Sequence, residues 1–203
     1  MGHHTAWPKE RVPVSIEAAG SVDELLNRHY ISAQLKSANL KNIGVIIDAN
    51  DSFQSRWQSI RQLFESEFPN MPTALPSSGL IHSDSEGRQL GIWIMPNNSA
   101  NGMIETFLST LIDQSAQSNS IWQHAISSAT QAKTLGCNFK DAHRDKANIH
   151  TWLAWQDTPG DAFGTAILRK TLNPHSPNAV GFVAWFMRLF QLQPLETSSS
   201  STG

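Results

Sequence analysis

Ile43-Gly44-Val45-Ile46-Ile47 runs without a break into Asp48-Ala49-Asn50-Asp51-Ser52. The first five residues are apolar and mostly β-branched, the composition of a strand covered on both faces. The next five are turn and helix-capping residues, with Ser52 placed to cap whatever helix follows. Phe53 to Phe68 then shows Trp57, Ile60, Leu63, Phe64 and Phe68 at helical spacing, so a buried strand feeds an amphipathic helix.

The same alternation extends both ways. Upstream, Val12 to Ile16 alternates apolar and polar and reads as a short strand, and Val22 to Ser37 reads as a helix with Asp23 and Glu24 in its first turn. Downstream, Leu80-Ile81-His82 and Leu90 to Met95 are strand candidates joined through the turn residues Asp84 to Arg88. After Pro96-Asn97-Asn98-Ser99, Gly102 to Ile112 is a helix, followed by helices over Asn119 to Leu135, His143 to Gln156, Ala162 to Lys170 and Asn178 to Phe190. The expectation is an α/β domain with a largely parallel sheet flanked by helices and a helical C-terminal part. It spans residues 12–192, between flexible termini at 1–11 and 193–203.

Composition narrows the function classes. The chain has 203 residues, a net charge of −2 and one cysteine, Cys137. A lone cysteine excludes an internal disulfide framework and a cysteine-based zinc site. No run approaches the ~20 apolar residues of a membrane span. The N-terminal MGHHTAWPKERVP lacks the apolar core of a signal peptide, so a cytoplasmic protein is expected. The charge balance provides no overall basic field for nucleic acid.

In open α/β sheets the working site lies beyond the carboxyl ends of the strands. That rule selects Glu17, Asp48 with Asn50 and Asp51, and Asn97-Asn98. Oxygen ligands gathered there suit a hard divalent cation. Glu105, in the first turns of its helix, lies off the centre of the apolar stripe, and Lys146 sits on the margin of the stripe of the His143–Gln156 helix beside His143 and His150. A lysine so placed can stabilise charge developing on a phosphate. His143 and His150 stand about 10 Å apart along that helix, too far to share a metal.

Three blocks, GVIIDANDSFQSRWQSI, GIWIMPNNSANGMIETFL and FKDAHRDKANIHTWLAWQDTPG, resemble as a set a bacterial family catalogued as a domain of unknown function and grouped with Toprim-like folds. The resemblance runs from Val12 to about Leu192. It is distant to the Toprim domains of the OLD (overcoming lysogenization defect) nucleases. It implies a compact, mostly parallel sheet and a centre binding Mg²⁺ or Mn²⁺. Glu17, Asp48, Asp51 and Glu105 would hold the metal, with Asn50, Asn97 and Asn98 beside them. Glu105 and Lys146 would be catalytic, Gly102-Met103-Ile104-Glu105 matching a Gly-x-x-Glu motif. The sequence also departs from that pattern. Glu17 lacks the following Gly, Asn50 stands for the second Asp of Asp-x-Asp with Asp51 as its neighbouring substitute, and Asn97 stands for an Asp. Each change keeps an oxygen ligand and removes a charge.

Two functions follow from the resemblance. One is a metal-dependent nuclease or phosphodiesterase acting on nucleic acid, the effector of a phage-defence pair with an ABC-type or OLD-like ATPase. The other is a catalytically degenerate Toprim-like module for protein interaction. A small-molecule enzyme on a doubly wound sheet is disfavoured, because no Gly-rich phosphate loop follows the first strand and no Ser or Cys elbow is present.

Overall fold

The computed structural model of the chain describes residues 14–35 and 40–193. In chain order the elements are α1 (Val22–Leu25), α2 (Arg28–Leu35), β1 (Asn42–Asp48), α3 (Phe53–Phe64), β2 (Leu80–Ser83), β3 (Gln89–Met95), α4 (Ile104–Ser109), α5 (Ala116–Thr134), a 3₁₀ turn (Asp141–His143), α6 (Arg144–Leu153), α7 (Phe163–Leu168) and α8 (Pro177–Phe190). No helix among the described residues is long and apolar enough to cross a membrane.

The fold is α/β, and its sheet is small and mixed rather than mostly parallel. Among the described residues it holds three strands in the order β1-β3-β2. β1 and β3 run parallel, from Asn42 opposite Gln89 to Asp48 opposite Met95. β2 is the antiparallel arm of a hairpin, Leu80 facing Ile92, as the turn residues between them predict. The expected strand at Val12 to Ile16 does not add to it. Residues 12 and 13 lie outside the described residues, and 14–16 carry no regular structure, with Ile16 84% exposed.

That missing neighbour leaves β1 at an edge, so its two-sided covering is not realised. Val45 and Ile47 are buried, whereas Ile46 is 42% exposed. β3 is the strand covered on both faces, Leu90 to Met95 all being buried. One face of the sheet, with Val45, Ile47, Ile92 and Ile94, packs on Trp57, Ile60 and Phe64 of α3 and on Ile31 and Leu35 of α2. The other face, with Trp93 and Met95, packs on α4, α6 and α8.

Local chemistry explains the element ends. Ser21 and Glu24 form a reciprocal capping box on α1, but the expected single helix from Val22 divides at residues 26–27. Ser52 caps α3 by accepting from the Ser55 amide at 3.2 Å. Ser176 caps α8, with Pro177 in its first turn. Gly44 and Gly91 are ladder partners under α8. A Cβ at Gly91 would lie 2.3 Å from Leu189 Cδ2, and one at Gly44 3.0 Å from the same atom. The two glycines therefore let α8 lie directly on the sheet.

Candidate active site

Asp48 is the last residue of β1, and its backbone continues the parallel register for one more step, Ala49 N–H donating to the Met95 carbonyl at 3.1 Å. This is the carboxyl end of the parallel pair. Asp48 Oδ1 accepts from the Ile104 amide at 2.9 Å, tying the strand end to the start of α4. Arg56 Nε donates to the Asp48 carbonyl at 2.9 Å from the first turn of α3.

Glu105 follows Ile104 and is only 5% exposed. Its Oε1 stands 3.3 Å from Nζ of Lys146, whose side chain is 55% exposed. Beside this pair Thr106 Oγ1 donates to the Asp145 carboxylate in a short hydrogen bond and accepts from the Met103 amide at 3.0 Å. α4 and α6 are thus joined twice, at 105–146 and at 106–145.

Burial pushes the Asp48 carboxyl above its ordinary pKa; the Ile104 amide opposes this, the Glu105 charge adds to it, and Arg56 and Lys146 oppose it. Asp48, Glu105 and Lys146, from three distant segments, therefore share one electrostatic neighbourhood. An aspartate whose folded pKa lies above its unfolded value of about 3.9 binds its proton more tightly in the native state. Between those two values stability falls as pH rises. The cost is fully present above the folded pKa and absent below the unfolded one. Asp48→Asn keeps an oxygen for the Ile104 amide. It is expected to raise the melting temperature at neutral pH, an advantage that disappears below about pH 4. Thermal melts across that range check this, and a lower melting temperature at pH 7 would contradict it.

The other residues expected at the centre have different placements. Glu17 lines a groove beside residues 40–45, towards the amino-terminal end of β1, where Gln34 Nε2 donates to it at 3.5 Å. It is not brought to Asp48. Asn97 Oδ1 serves its own turn, accepting from Ser99 N–H and Oγ and from the Ala100 amide. Asn98 is 1% exposed and accepts from the Ile94 amide at 2.8 Å while donating to the Ser77 carbonyl at 3.2 Å. Both are turn chemistry. Asn50 adopts a left-handed backbone (φ 53°) and exchanges two backbone hydrogen bonds with Gly102, at 2.7 and 2.8 Å. Among the described residues no three His, Cys, Asp or Glu side chains gather as a metal-holding group.

Asp51 lines a cleft of about 450 Å³ shared with Asn50, Gly102, Met103 and residues 141–145. Its backbone carbonyl is held by Asn101, whose Nδ2 donates to it at 2.7 Å while Oδ1 accepts from the Phe53 amide at 2.8 Å. Asn101 thereby latches the loop after β3 to the loop after β1. It escapes a search for acids and bases, although Asn101-Gly102 carries the turn signal of such a loop. Arg56, Thr106 and Asp145 are also missed. Each stands within one of the three quoted blocks, Thr106 next to Glu105 and Asp145 next to Lys146.

Comparison with curated proteins and with solved structures yields no match. A family model matches residues 2–191, and on that coverage the chain belongs to the family described as "Protein of unknown function (DUF3226)".

Proposed function

We propose that the chain is a Toprim-like phosphodiesterase of nuclease type, assisted by Mg²⁺ or Mn²⁺, with Asp48 and Glu105 as its carboxylates and Lys146 as the cation that meets the phosphate. One observation carries this reading: residues 48, 105 and 146, marked out for the same chemistry from separate parts of the sequence, converge at the carboxyl end of β1.

The donor set suits a cation that arrives with its substrate. Two carboxylates are too few for a closed all-protein cage, but Mg²⁺ commonly uses one or two carboxylates and takes its remaining ligands from phosphate and water. Bound there, the cation would polarise a phosphoryl oxygen. The chain's own groups do the positioning. The Ile104 amide fixes the direction of the Asp48 carboxylate. Glu105 holds the flexible lysine stem over the site. The half-exposed ammonium can then transfer from Glu105 to a phosphate whose charge grows in the transition state.

The second reading, a catalytically silent module partnering an ABC-type or OLD-like ATPase, is favoured by a different feature. Lys146 already neutralises Glu105, while Val180 and Val183 of α8 are 52% and 48% exposed. Cleavage of supercoiled plasmid, single-stranded RNA and an aryl phosphodiester with Mn²⁺ separates the two. The phosphodiesterase reading expects cleavage that falls about a hundredfold in Asp48→Ala. No cleavage by wild type, or cleavage that the variant retains, moves the assignment to the interaction module.

A further inference from the structure

A sheet edge with free backbone groups is a template for a further strand, and proteins blunt such edges with short strands, charge or proline. The β2 edge is blunted in this way: β2 is four residues long, and the Leu80 carbonyl accepts from Trp185. The β1 edge is not. It runs for seven residues, with no proline and no charge from Asn42 to Ile47.

The ladder fixes where its backbone groups point. Just outside the two ends of β1, the Lys41 carbonyl accepts from Gln89 and the Ala49 amide donates to Met95. Successive residues of a strand bond to opposite sides. Odd-numbered residues therefore face β3, and Asn42, Gly44, Ile46 and Asp48 direct their N–H and C=O groups outward. Arg56 fits this parity, since its Nε takes the Asp48 carbonyl at 2.9 Å and closes that end of the edge. Among the described residues none pairs with Asn42, Gly44 or Ile46 on the outer side. Residues 14–17 line a groove with residues 40–45 but form no strand there.

An apolar surface borders the same edge. A Cβ at Gly44 would meet Leu189 and Phe190, so the even-numbered side chains of β1 lie on the α8 side of the sheet. Ile46 is one of them and is 42% exposed. Val183 and Phe190, seven residues apart, share one flank of α8. Phe190 reaches Gly44, which puts the exposed Val183, and Val180 a turn earlier, on the flank towards β1. Apart from Arg188, α8 carries no charge.

This edge is complementary to a second copy of itself. A two-fold axis sets the same patch on both sides of a contact. Antiparallel overlap of all of Asn42–Asp48 puts Val45 on the axis and Gly44 opposite the partner's Ile46. In that register outward-facing residues meet only outward-facing residues, so each Gly44–Ile46 pair can exchange two hydrogen bonds. The large exposed side chain lies across from the residue that has none, and no like charges meet between Asn42 and Ile47.

We propose that the chain forms a two-fold dimer in which β1 pairs antiparallel with the partner's β1 and the Val180–Val183 flanks of the two α8 helices face each other over the seam. The product is one continuous sheet of six strands, three from each copy. The two Asp48 residues then stand at opposite ends of the seam, about 20 Å apart. The proposal goes beyond the phosphodiesterase reading and does not depend on it.

The test is sedimentation equilibrium of the full chain from nanomolar to millimolar concentration, with amide hydrogen exchange measured at both extremes. The expected result is a dimer that dissociates on dilution, with the Gly44 and Ile46 amides exchanging slowly only where the dimer is populated. Ile46→Lys places charge in the seam and should weaken association by about tenfold or more. Val183→Glu lies outside the sheet and should act in the same direction; it serves if circular dichroism shows that Ile46→Lys does not fold. A monomer at every concentration overturns the proposal, and protected Gly44 and Ile46 amides in that monomer would assign the edge to another segment of the same chain. A dimer indifferent to both substitutions, or one whose Gly44 and Ile46 amides exchange freely, is built on a different surface and overturns it as well.

Discussion

Glu105→Gln is expected to lower cation-dependent hydrolysis by about 10²- to 10³-fold while changing stability by no more than about 1 kcal/mol. The asymmetry comes from where the two charges sit. Glu105 is 5% exposed and Lys146 is more than half exposed. Neutralising the glutamate removes a buried charge and leaves an ammonium that water can solvate, so little stability is lost. The proposed site would lose the charge that directs the lysine and, on the phosphodiesterase reading, attracts the cation. Lys146→Met reverses the situation. It leaves a carboxylate buried without its counter-charge, a change that costs on the order of 3 kcal/mol. Mn²⁺ should then restore part of the melting temperature of Lys146→Met and do less for the wild type, where the ammonium already serves. Equal destabilisation by both variants, or a Lys146→Met melting temperature that does not respond to Mn²⁺, would show that the pair is ordinary surface electrostatics and would remove the cation from the proposed centre.

The three residues that meet were legible because their positions follow from general rules. Asp48 closes an apolar β-branched run, Glu105 stands one step off an apolar stripe, and Lys146 stands on the margin of another. Strand-end geometry brings such positions together without reference to any particular partner. Glu17 was not legible on the same footing. Its placement depended on a strand at Val12 to Ile16, and a short alternating run becomes a strand only when a neighbour accepts its backbone hydrogen bonds. Ile16, 84% exposed, has no such burial to gain. Asn97 and Asn98 show the opposite limit. Their residue types fit a ligand role and a turn equally well, and only the hydrogen bonds to Ser99, Ala100, Ile94 and Ser77 decide for the turn. The parallel glycines of GVII and GIWI were visible as letters but not as a contact, since their use depends on Leu189 lying across both, about a hundred residues or more along the chain.

Trp185→Ala is expected to give the largest loss of stability, about 4 kcal/mol. Against a total of roughly 5–15 kcal/mol for a natural domain, this is enough to leave a marginal protein partly unfolded at 37 °C. Trp185 has no exposed surface. Its ring centroid lies 5.6 Å from that of Trp93, 5.9 Å from Phe182 and 6.5 Å from Phe186. Its indole N–H donates to the Leu80 carbonyl at 2.9 Å, so a helix near the C-terminus is fastened to the first residue of β2. The indole also fills the space over Gly79, where a Cβ would meet it at 2.4 Å. Truncation removes the ring contacts, opens a cavity beneath α8 and leaves the Leu80 carbonyl without this donor. Trp185→Phe retains most of the ring surface and loses the hydrogen bond, which lowers the expected cost to about 1–2 kcal/mol. Urea unfolding of the two variants, followed by far-ultraviolet circular dichroism, checks the order. Because α8, α4 and α6 share this core with Trp93 and Met95 of β3, the alanine variant should also loosen the floor on which Glu105 and Lys146 stand. On the proposed phosphodiesterase reading, hydrolysis should therefore fall with the folded fraction as temperature rises. A variant that keeps full stability would place the packing of the α8 face elsewhere than on Trp185.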